Sequence, residues 1–306
     1  MKEILEIQEE QERVLEICRF TWTMKSASEV WSFERGIYDW YIQHRPACKS
    51  VYLPLFWIAI WRVVDKYPDE SVLELMDRVS TIYKSLKKEI PYHTVASEVH
   101  CNKRLFPKLP SNVQVYGPGY NTNEGDDITC HEIPLLVFSR RFFSNTTRDI
   151  FCSYFISGEY RCRKQLNQFL YGEEGFCHKD FVVSFRVPYR FYCEILSRSK
   201  FVLAPRGTNI TTYRFYEAIM YGAIPVYISD KFSLPYSDEV DWNSLAVLID
   251  QNDIEMIPDI LHRISAEQTL KMQAYGKWFK EKFINLNELC KRIFTHANQL
   301  NHEYNG

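Results

Sequence analysis

The sequence predicts an α/β protein of two domains, each a parallel sheet with crossover helices. Three observations predict it. Short β-rich apolar runs alternate with stretches of helical periodicity from about residue 50 to 250. Residues 199–230 read without a break as strand, charged turn, helix, strand. The length of 306 residues, with 46% hydrophobic and 25% charged positions, is ample for two such cores.

The elements follow in order. Residues 3–19 form an amphipathic helix with Ile4, Ile7, Val14, Leu15 and Cys18 on one side, which suits packing on a domain better than docking a partner. A second, aromatic-rich helix spans 28–44, with Ser28 as its N-cap. A strand at 51–58 follows, then a helix from Pro68 through Glu89 with Leu73, Met76, Val79, Tyr83 and Leu86 at helical spacing. Strands at 92–96, 112–116 and 134–138 complete a first domain, residues 1–145. The polar run Ser144-Asn145-Thr146-Thr147 serves as the hinge. The second domain, residues 146–306, has strands at 150–156, 181–185, 200–204, 224–228 and 245–249, then one or two helices from Ser265 to about 298. There is no internal repeat and no low-complexity segment.

The stretch 199–230 carries the chemistry. Phe201 to Ala204 is an apolar run stopped by Pro205, and Arg206-Gly207 opens a polar loop. Thr211 or Thr212 caps a helix that ends near Tyr221, where Gly222 supplies a left-handed stop. Ile224 to Ile228 closes the βαβ unit. Such a unit aims a helix N-terminus at the carboxyl end of its first strand, where anions bind in open α/β sheets. Gly207 admits a close diphosphate, and Arg206 can hold one bidentately. Arg214 and Glu217 share a helix face, and a carboxylate there can accept both hydroxyls of a ribose. The plainer alternative makes them a surface ion pair and Arg206 a solvated turn residue; the ordered set as a whole favours the site.

The run Pro205-Arg206-Gly207, Thr212, Arg214, Glu217-Ala218, Gly222-Ala223-Ile224-Pro225-Val226 and Asp230 resembles the signature of exostosin-like glycosyltransferases, with Thr212 where that family usually has serine. Phe155-Ile156-Ser157-Gly158, then Arg163-Lys164-Gln165-Leu166, resembles an upstream strand and helix of the family, and Val51 to Phe56 resembles an early strand. The resemblance covers roughly 50–270 and is dense only over 199–230. It implies a GT-B fold: two Rossmann-like domains, the active site in the cleft between them, and a C-terminal helix crossing back. Compact members from viruses of algae and from microbes are the most similar in scale.

By resemblance, the reaction is inverting transfer of a sugar from a UDP-sugar to a hydroxyl of a glycan. A pentose such as xylose is slightly favoured as donor sugar, with galactose or glucuronate also compatible. Donor-binding candidates are Arg163, Arg206, Gly207, Thr208, Thr211, Thr212, Arg214 and Glu217; Ser184, Phe185, Arg186 and Pro188 could line the base pocket. Leaving-group charge falls to Arg206, Arg163 and the helix N-terminus near Thr211. No Asp-x-Asp motif occurs, so neither a metal nor another cofactor is expected, and Asp126-Asp127 and Asp238-Glu239 read as loop charges. The base is Glu98 or His100, in a segment that departs from the family pattern; Asp126, Asp127 or His131 stand next in line. If none serves, the chain is a non-catalytic glycan- or nucleotide-binding module; a nucleotide-sugar hydrolase would share the donor site without an acceptor groove.

Composition narrows the setting. A net charge of −2 without a basic tract argues against nucleic acid. Nine scattered cysteines with no CxxC pair argue against zinc, a redox dithiol or a disulfide scaffold. Aromatic content of 15% fits a large core and glycan-stacking surfaces alike. The opening Met1-Lys2-Glu3-Ile4-Leu5-Glu6 is unlike a signal peptide, and the apolar run from Tyr52 stops at Arg62, too short to span a bilayer. These features predict a cytoplasmic protein. Asn209-Ile210-Thr211 matches a glycosylation acceptor but lies inside the expected phosphate loop, where it is read as fortuitous.

Overall fold

The computed structural model describes residues 2–23, 33–55, 57, 70–96, 109–118, 130–134, 147–156, 158, 160–171, 180–185, 187–207 and 210–299. The chain forms two compact units, Met1–Ile133 together with Leu286–Gly306, and Pro134–Asn285. The expected limits of 1–145 and 146–306 thus stand beside a division in which the last helix belongs with the first sheet. Among the described residues no helix is long and apolar enough to cross a membrane.

The first unit is a parallel sheet of β1 (Val51–Tyr52), β2 (Tyr92–Val95), β3 (Val113–Gly117) and β4 (Cys130–Glu132), in that order. Among the described residues of the first half of the chain, α1 (Lys2–Thr23), α2 (Phe33–His44) and α3 (Glu70–Ser85) accompany it. Val14 and Cys18 of α1 and Val79 and Ile82 of α3 bury against Val51, Tyr92 and Val115, so α1 is a packing helix as its pattern predicts. Strand β1 is far shorter than the expected 51–58. After the Leu53 N–H donates to the His93 carbonyl at 2.7 Å, the chain tightens, with Leu55 bonding back to Leu53 and Trp57 to Leu55. Pro54 between them has no N–H to continue a ladder. The Gln11 amide brackets Tyr52, donating to its carbonyl at 2.8 Å and accepting from its N–H at 2.7 Å. A side chain thereby occupies the edge that another strand would otherwise seek. Strand β4 has no clear sequence signal because Cys130-His131-Glu132 is short and polar; the expected strand 134–138 lies almost wholly outside the described residues, as do Ser28 and most of the hinge 144–147.

The second unit is a five-stranded parallel sheet: β5 (Ile150–Ile156), β6 (Phe181–Phe185), β7 (Ser199–Pro205), β8 (Ile224–Ser229) and β9 (Val247–Asp250), in the order β6-β5-β7-β8-β9. Helices α4 (Arg161–Tyr171), α5 (Tyr189–Arg198), α6 (Tyr213–Met220), α7 (Ile257–Arg263) and α8 (Ala266–Phe283) complete it. Strand alternation divides the core. Phe201 and Leu203 of β7 pack with Leu166 and Leu170 of α4 and Ile257 and Leu261 of α7, whereas Val202 packs with Cys193 and Leu196 of α5 and Ala218 of α6. The sheet is therefore covered on both faces. The predicted strands 150–156 and 181–185 match in full, and β9 starts later than its predicted 245 because Leu245 and Ala246 close a turn onto the Trp242 carbonyl. Ser265 begins α8 with a reciprocal capping box to Gln268.

The chain ends with α9 (Leu286–Gln299), which is part of the first unit. Its Phe294 ring lies 5.6 Å from Trp40, 5.4 Å from Tyr41 and from Tyr52, and 5.1 Å from His93. Burying one such ring contributes about 2 kcal/mol, and the aromatic contacts add to it.

Candidate functional site

The strand order of the second unit reverses at β5. From β5 the chain winds outward to β6, then crosses back to β7 on the other side of β5. Sheets of this kind bind ligands in a crevice at such a reversal, which here corresponds to the carboxyl ends of β5 and β7. The two loops leaving those ends hold the residues that the sequence singles out.

Arg163, in the first turn of α4, spans both loops. Its Nε donates to the Arg206 carbonyl at 3.1 Å and its Nη2 to the Pro205 carbonyl at 3.4 Å. A Cβ at Gly207 would stand 3.0 Å from Arg163 Nη2, and one at Gly158 (φ +66°) would stand 3.6 Å from Nη1. A side chain at Gly207 would thus crowd the guanidinium packed on it, which would have to give by a few tenths of an ångström, a reason the sequence did not offer. Burial, reinforced by the charge of Arg214, pushes the Arg163 pKa down. Two cations have been brought together in a desolvated place.

Arg206 is neither solvated nor extended into the open. It is 2% exposed, its Nη1 pairs with the Asp230 carboxylate beyond β8, and its guanidinium lies 5.1 Å from the Tyr160 ring centroid. Burial pushes the Asp230 carboxyl up, but the Arg206 hydrogen bond and charge outweigh it and hold the pKa below its ordinary value. The backbone N–H of Arg206 donates to the Ile228 carbonyl at 2.9 Å, so the loop continues the β7–β8 ladder before turning. Cys162 Sγ, beneath it, contacts the Arg206 carbonyl at 3.4 Å.

Helix α6 starts at the crevice. Thr211 and Thr212 are both buried, and Thr212 holds the N-cap position in an extended conformation. Its hydroxyl makes no capping bond, contrary to the expected side-chain cap; only its carbonyl engages, accepting from the Phe215 N–H at 3.1 Å. The far end is firmly closed. Gly222 (φ +73°) donates to the Ile219 carbonyl and Ala223 to that of Ala218, both at 2.9 Å, which makes a Schellman motif. Arg148 joins the Tyr221 and Ser199 carbonyls at 2.7 and 2.6 Å, and Lys280 donates to the Met220 carbonyl at 3.1 Å. Two cations at a helix C-terminus complement its dipole.

Arg214 and Glu217 are not a surface ion pair. Arg214 is buried, its guanidinium 5.7 Å from the Tyr154 ring and 5.6 Å from the Phe155 ring. Glu217 accepts a hydrogen bond from the Tyr192 hydroxyl on α5. Burial raises the Glu217 pKa, partly offset by the Tyr192 bond and the Arg214 charge; burial and the Glu217 charge likewise push the Tyr192 phenol up. The crevice therefore gathers Arg163, Arg206 and Arg214 with two carboxylates, one of which is committed to Arg206.

The remaining candidates are dispersed. Glu98, His100, Asp126, Asp127, Arg186 and Thr208 lie outside the described residues. Phe185 ends β6 and is 57% exposed, with Ser184 beside it and Pro188 at the N-cap of α5. His131 sits in β4, its ring 4.9 Å from Tyr116 and 4.6 Å from His296. Burial and His296 lower its pKa to about 4, which makes it a weak base. Among the described residues no cluster of His, Cys, Asp or Glu could hold a metal ion. Tyr192, Tyr160 and Arg148 were missed. Nothing local marks them; Tyr192 stands 25 positions from the carboxylate it serves.

Residues 147–264 match the Exostosin GT47 domain. An Exostosin-1 homolog of Caenorhabditis elegans is 38% identical over 82 residues, 27% of this chain and 22% of that protein. Exostosin-1 of Drosophila melanogaster is 33% identical over 104 residues, 34% of this chain and 13% of that protein. The matched segments thus span less than a quarter of those relatives. Among solved structures, an alpha-glucosyltransferase in complex with UDP-glucose and abasic DNA superposes with a TM-score of 0.48 at 11% identity, over 74% of this chain and 77% of that one. TarM superposes with a TM-score of 0.42 at 12% identity, over 74% of this chain and 58% of that one. The second unit is exostosin-like in sequence and α/β in fold, as its signature implies.

Proposed function

We propose that the chain is a glycosyltransferase of the exostosin type whose second unit holds a nucleoside diphosphate sugar, UDP-linked, at the carboxyl ends of β5 and β7. One observation carries the reading: at the sheet's topological switch the Arg163 guanidinium is packed on Gly207 and held by the Arg206 and Pro205 carbonyls, where burial and the charge of Arg214 push its pKa down. Like charges desolvated together are costly unless an anion completes them. A diphosphate is such an anion, and the N-terminus of α6, with no hydroxyl cap from Thr212, adds its dipole.

Arg206 then acts from behind. Locked to Asp230, it shapes the loop whose carbonyls anchor Arg163 and contributes long-range charge rather than a solvent-facing fork. Glu217 accepts the ribose hydroxyls. In the transfer, the anomeric C–O bond to the diphosphate breaks with its electron pair leaving on UDP. The acceptor oxygen forms a new bond from the opposite face, with inversion, and its proton passes to a base supplied by the chain. Arginine charge and helix dipole meet the leaving group's growing negative charge, so the reading needs no metal. A pentose donor such as UDP-xylose, with galactose and glucuronate as alternatives, and a glycan hydroxyl as acceptor complete it.

The test is thermal unfolding of the full chain with UDP, GDP, CDP and UDP-sugars, each with and without EDTA. A ligand at about a hundred times its Kd should stabilise the folded state by about 2.7 kcal/mol. UDP compounds should do so equally in EDTA, and Arg163→Ala should remove most of the shift. A folded wild type that answers to no nucleotide sinks the proposal, and sugar release only in the presence of a glycan acceptor separates transfer from hydrolysis.

A further inference from the structure

We infer that Tyr192 is a positioning residue for the donor site, holding Glu217 in one orientation as the acceptor for the two ribose hydroxyls. The inference rests on the ribose role proposed above and concerns a side chain outside the signature. Tyr192 lies on α5, and its hydroxyl donates to Glu217 Oε2 on α6. Its ring is fixed by Phe155 of β5 at 4.4 Å between centroids and by Tyr189 one turn earlier at 6.3 Å. The phenol is therefore delivered from a rigid strand–helix corner and not from a loop.

An ionised carboxylate offers about four lone-pair positions and no donor. Tyr192 occupies one and fixes the plane of the group, which leaves acceptor capacity in a set direction. Among the described residues, the charged and titratable groups around Glu217 are Tyr192 on α5, Arg214 on its own helix, and Tyr154 of β5 and Arg163 of α4, whose charges act on Arg214 or are acted on by it. Of these, Tyr192 and Arg214 favour the ionised carboxylate against its burial. The phenol is itself pushed up by burial and by Glu217, so it remains a donor throughout the range in which proteins are handled.

Loss of the hydroxyl has two consequences. The carboxylate is freed to turn, and its proton affinity rises, so an acidic medium converts it into a group that can no longer accept from both ribose hydroxyls. The experiment measures UDP and GDP affinity of the full chain between pH 5 and 8 for wild type, Tyr192→Phe, Glu217→Gln and the double variant. Both nucleotides are used because they share the ribose and differ in the base. Tyr192→Phe keeps the ring packing and should weaken binding about tenfold at pH 7. It should also move the acid-side loss of binding to higher pH. In the Glu217→Gln background it should change nothing further, since it acts only through that carboxylate.

Each other outcome decides against it. If Tyr192→Phe leaves affinity and pH profile unaltered while Glu217→Gln weakens binding, the ribose reading stands and the positioning role falls. Additive effects of the two substitutions, with no shift along the pH axis, show that the Tyr192 hydroxyl acts independently of Glu217 and refute the positioning role. Unchanged affinity in Glu217→Gln overturns the ribose role and this inference together, as does a folded wild type that binds neither nucleotide. Should Tyr192→Phe fail to fold, solvent-exchange protection and chemical shift of the tyrosine hydroxyl on titrating UDP into wild type decide the point instead: a proton that stays hydrogen-bonded supports the role, and one released on binding refutes it.

Discussion

Gly222→Ala tests how α6 is held, and its magnitude can be worked from two observations. The residue has φ +73°, where an L side chain costs about 1 kcal/mol or slightly more. A Cβ there would also stand 2.7 Å from Arg148 Nη2, inside van der Waals contact. Arg148 cannot step aside without cost, because its guanidinium is tied to the Tyr221 and Ser199 carbonyls at 2.7 and 2.6 Å. Losing one hydrogen bond to a charged donor costs about 1.5–3 kcal/mol. The sum is about 2.5–4 kcal/mol, to be read as a shift of the urea midpoint at constant slope. Gly276→Ala is the control. The same methyl in the interior of α8 meets nothing within 4 Å, so it should stabilise by about 0.5–1 kcal/mol. A Gly222→Ala loss under about 1 kcal/mol would refute the clamp, since it would show that only the backbone conformation resists and Arg148 is free to move.

Other outcomes follow from the buried charges. Asp230→Asn should destabilise by about 2 kcal/mol, less than a fully buried pair would, because the carboxylate is 36% exposed while Arg206 is 2% exposed. Because the Asp230 pKa is lowered in the folded protein, its contribution is present above the ordinary carboxylate range and is lost as the pH falls. The variant should accordingly show a shallower fall of Tm between pH 5 and 3, and an identical slope would exclude the pair as its source. Glu217 has the opposite sign. Its raised pKa means that stability is lost as the pH climbs through that value, so ligand-free Glu217→Gln should melt higher than wild type at pH 7 and converge with it in acid. A lower melting point at pH 7 would show that the carboxylate is a structural asset and not a cost accepted for binding.

The parts of the fold that could be read in advance are those whose signal is local. Apolar runs ended by Pro205 or Gly222 marked β7, β8 and the stop of α6, and the Ser265–Gln268 spacing marks the start of α8. Strand β1 was misjudged because apolar character continues past Tyr52, while the backbone turns at Pro54 for reasons a hydropathy pattern does not hold. The site divides the same way. Arg206, Gly207, Arg214 and Glu217 share one βαβ unit and could be seen together. Asp230 closes the same unit, whereas Tyr160, Arg163 and Tyr192 lie outside it, and the buried pairing of Arg206 and the turning of Glu217 toward α5 needed coordinates. Thr212 shows the reverse error. Its residue type and place suit a cap, yet its hydroxyl is not used as one.

The return of α9 to the first sheet has a consequence for synthesis. The second unit is one uninterrupted stretch, Pro134–Asn285, whereas the first is made of two stretches separated by all of it. A chain emerging from the ribosome can complete the second sheet as soon as that stretch has cleared the exit, since domains tend to fold as units while translation proceeds. The first sheet must wait. Among the described residues, Trp40, Tyr41, Tyr52 and His93 surround Phe294, and Phe294 is made only after the whole of the second unit. Of the two units, the one that begins first is thus completed second, with those aromatic side chains lacking Phe294 in the interval. A nascent chain arrested near residue 285 should present a protease-resistant second unit beside a still cleavable first one.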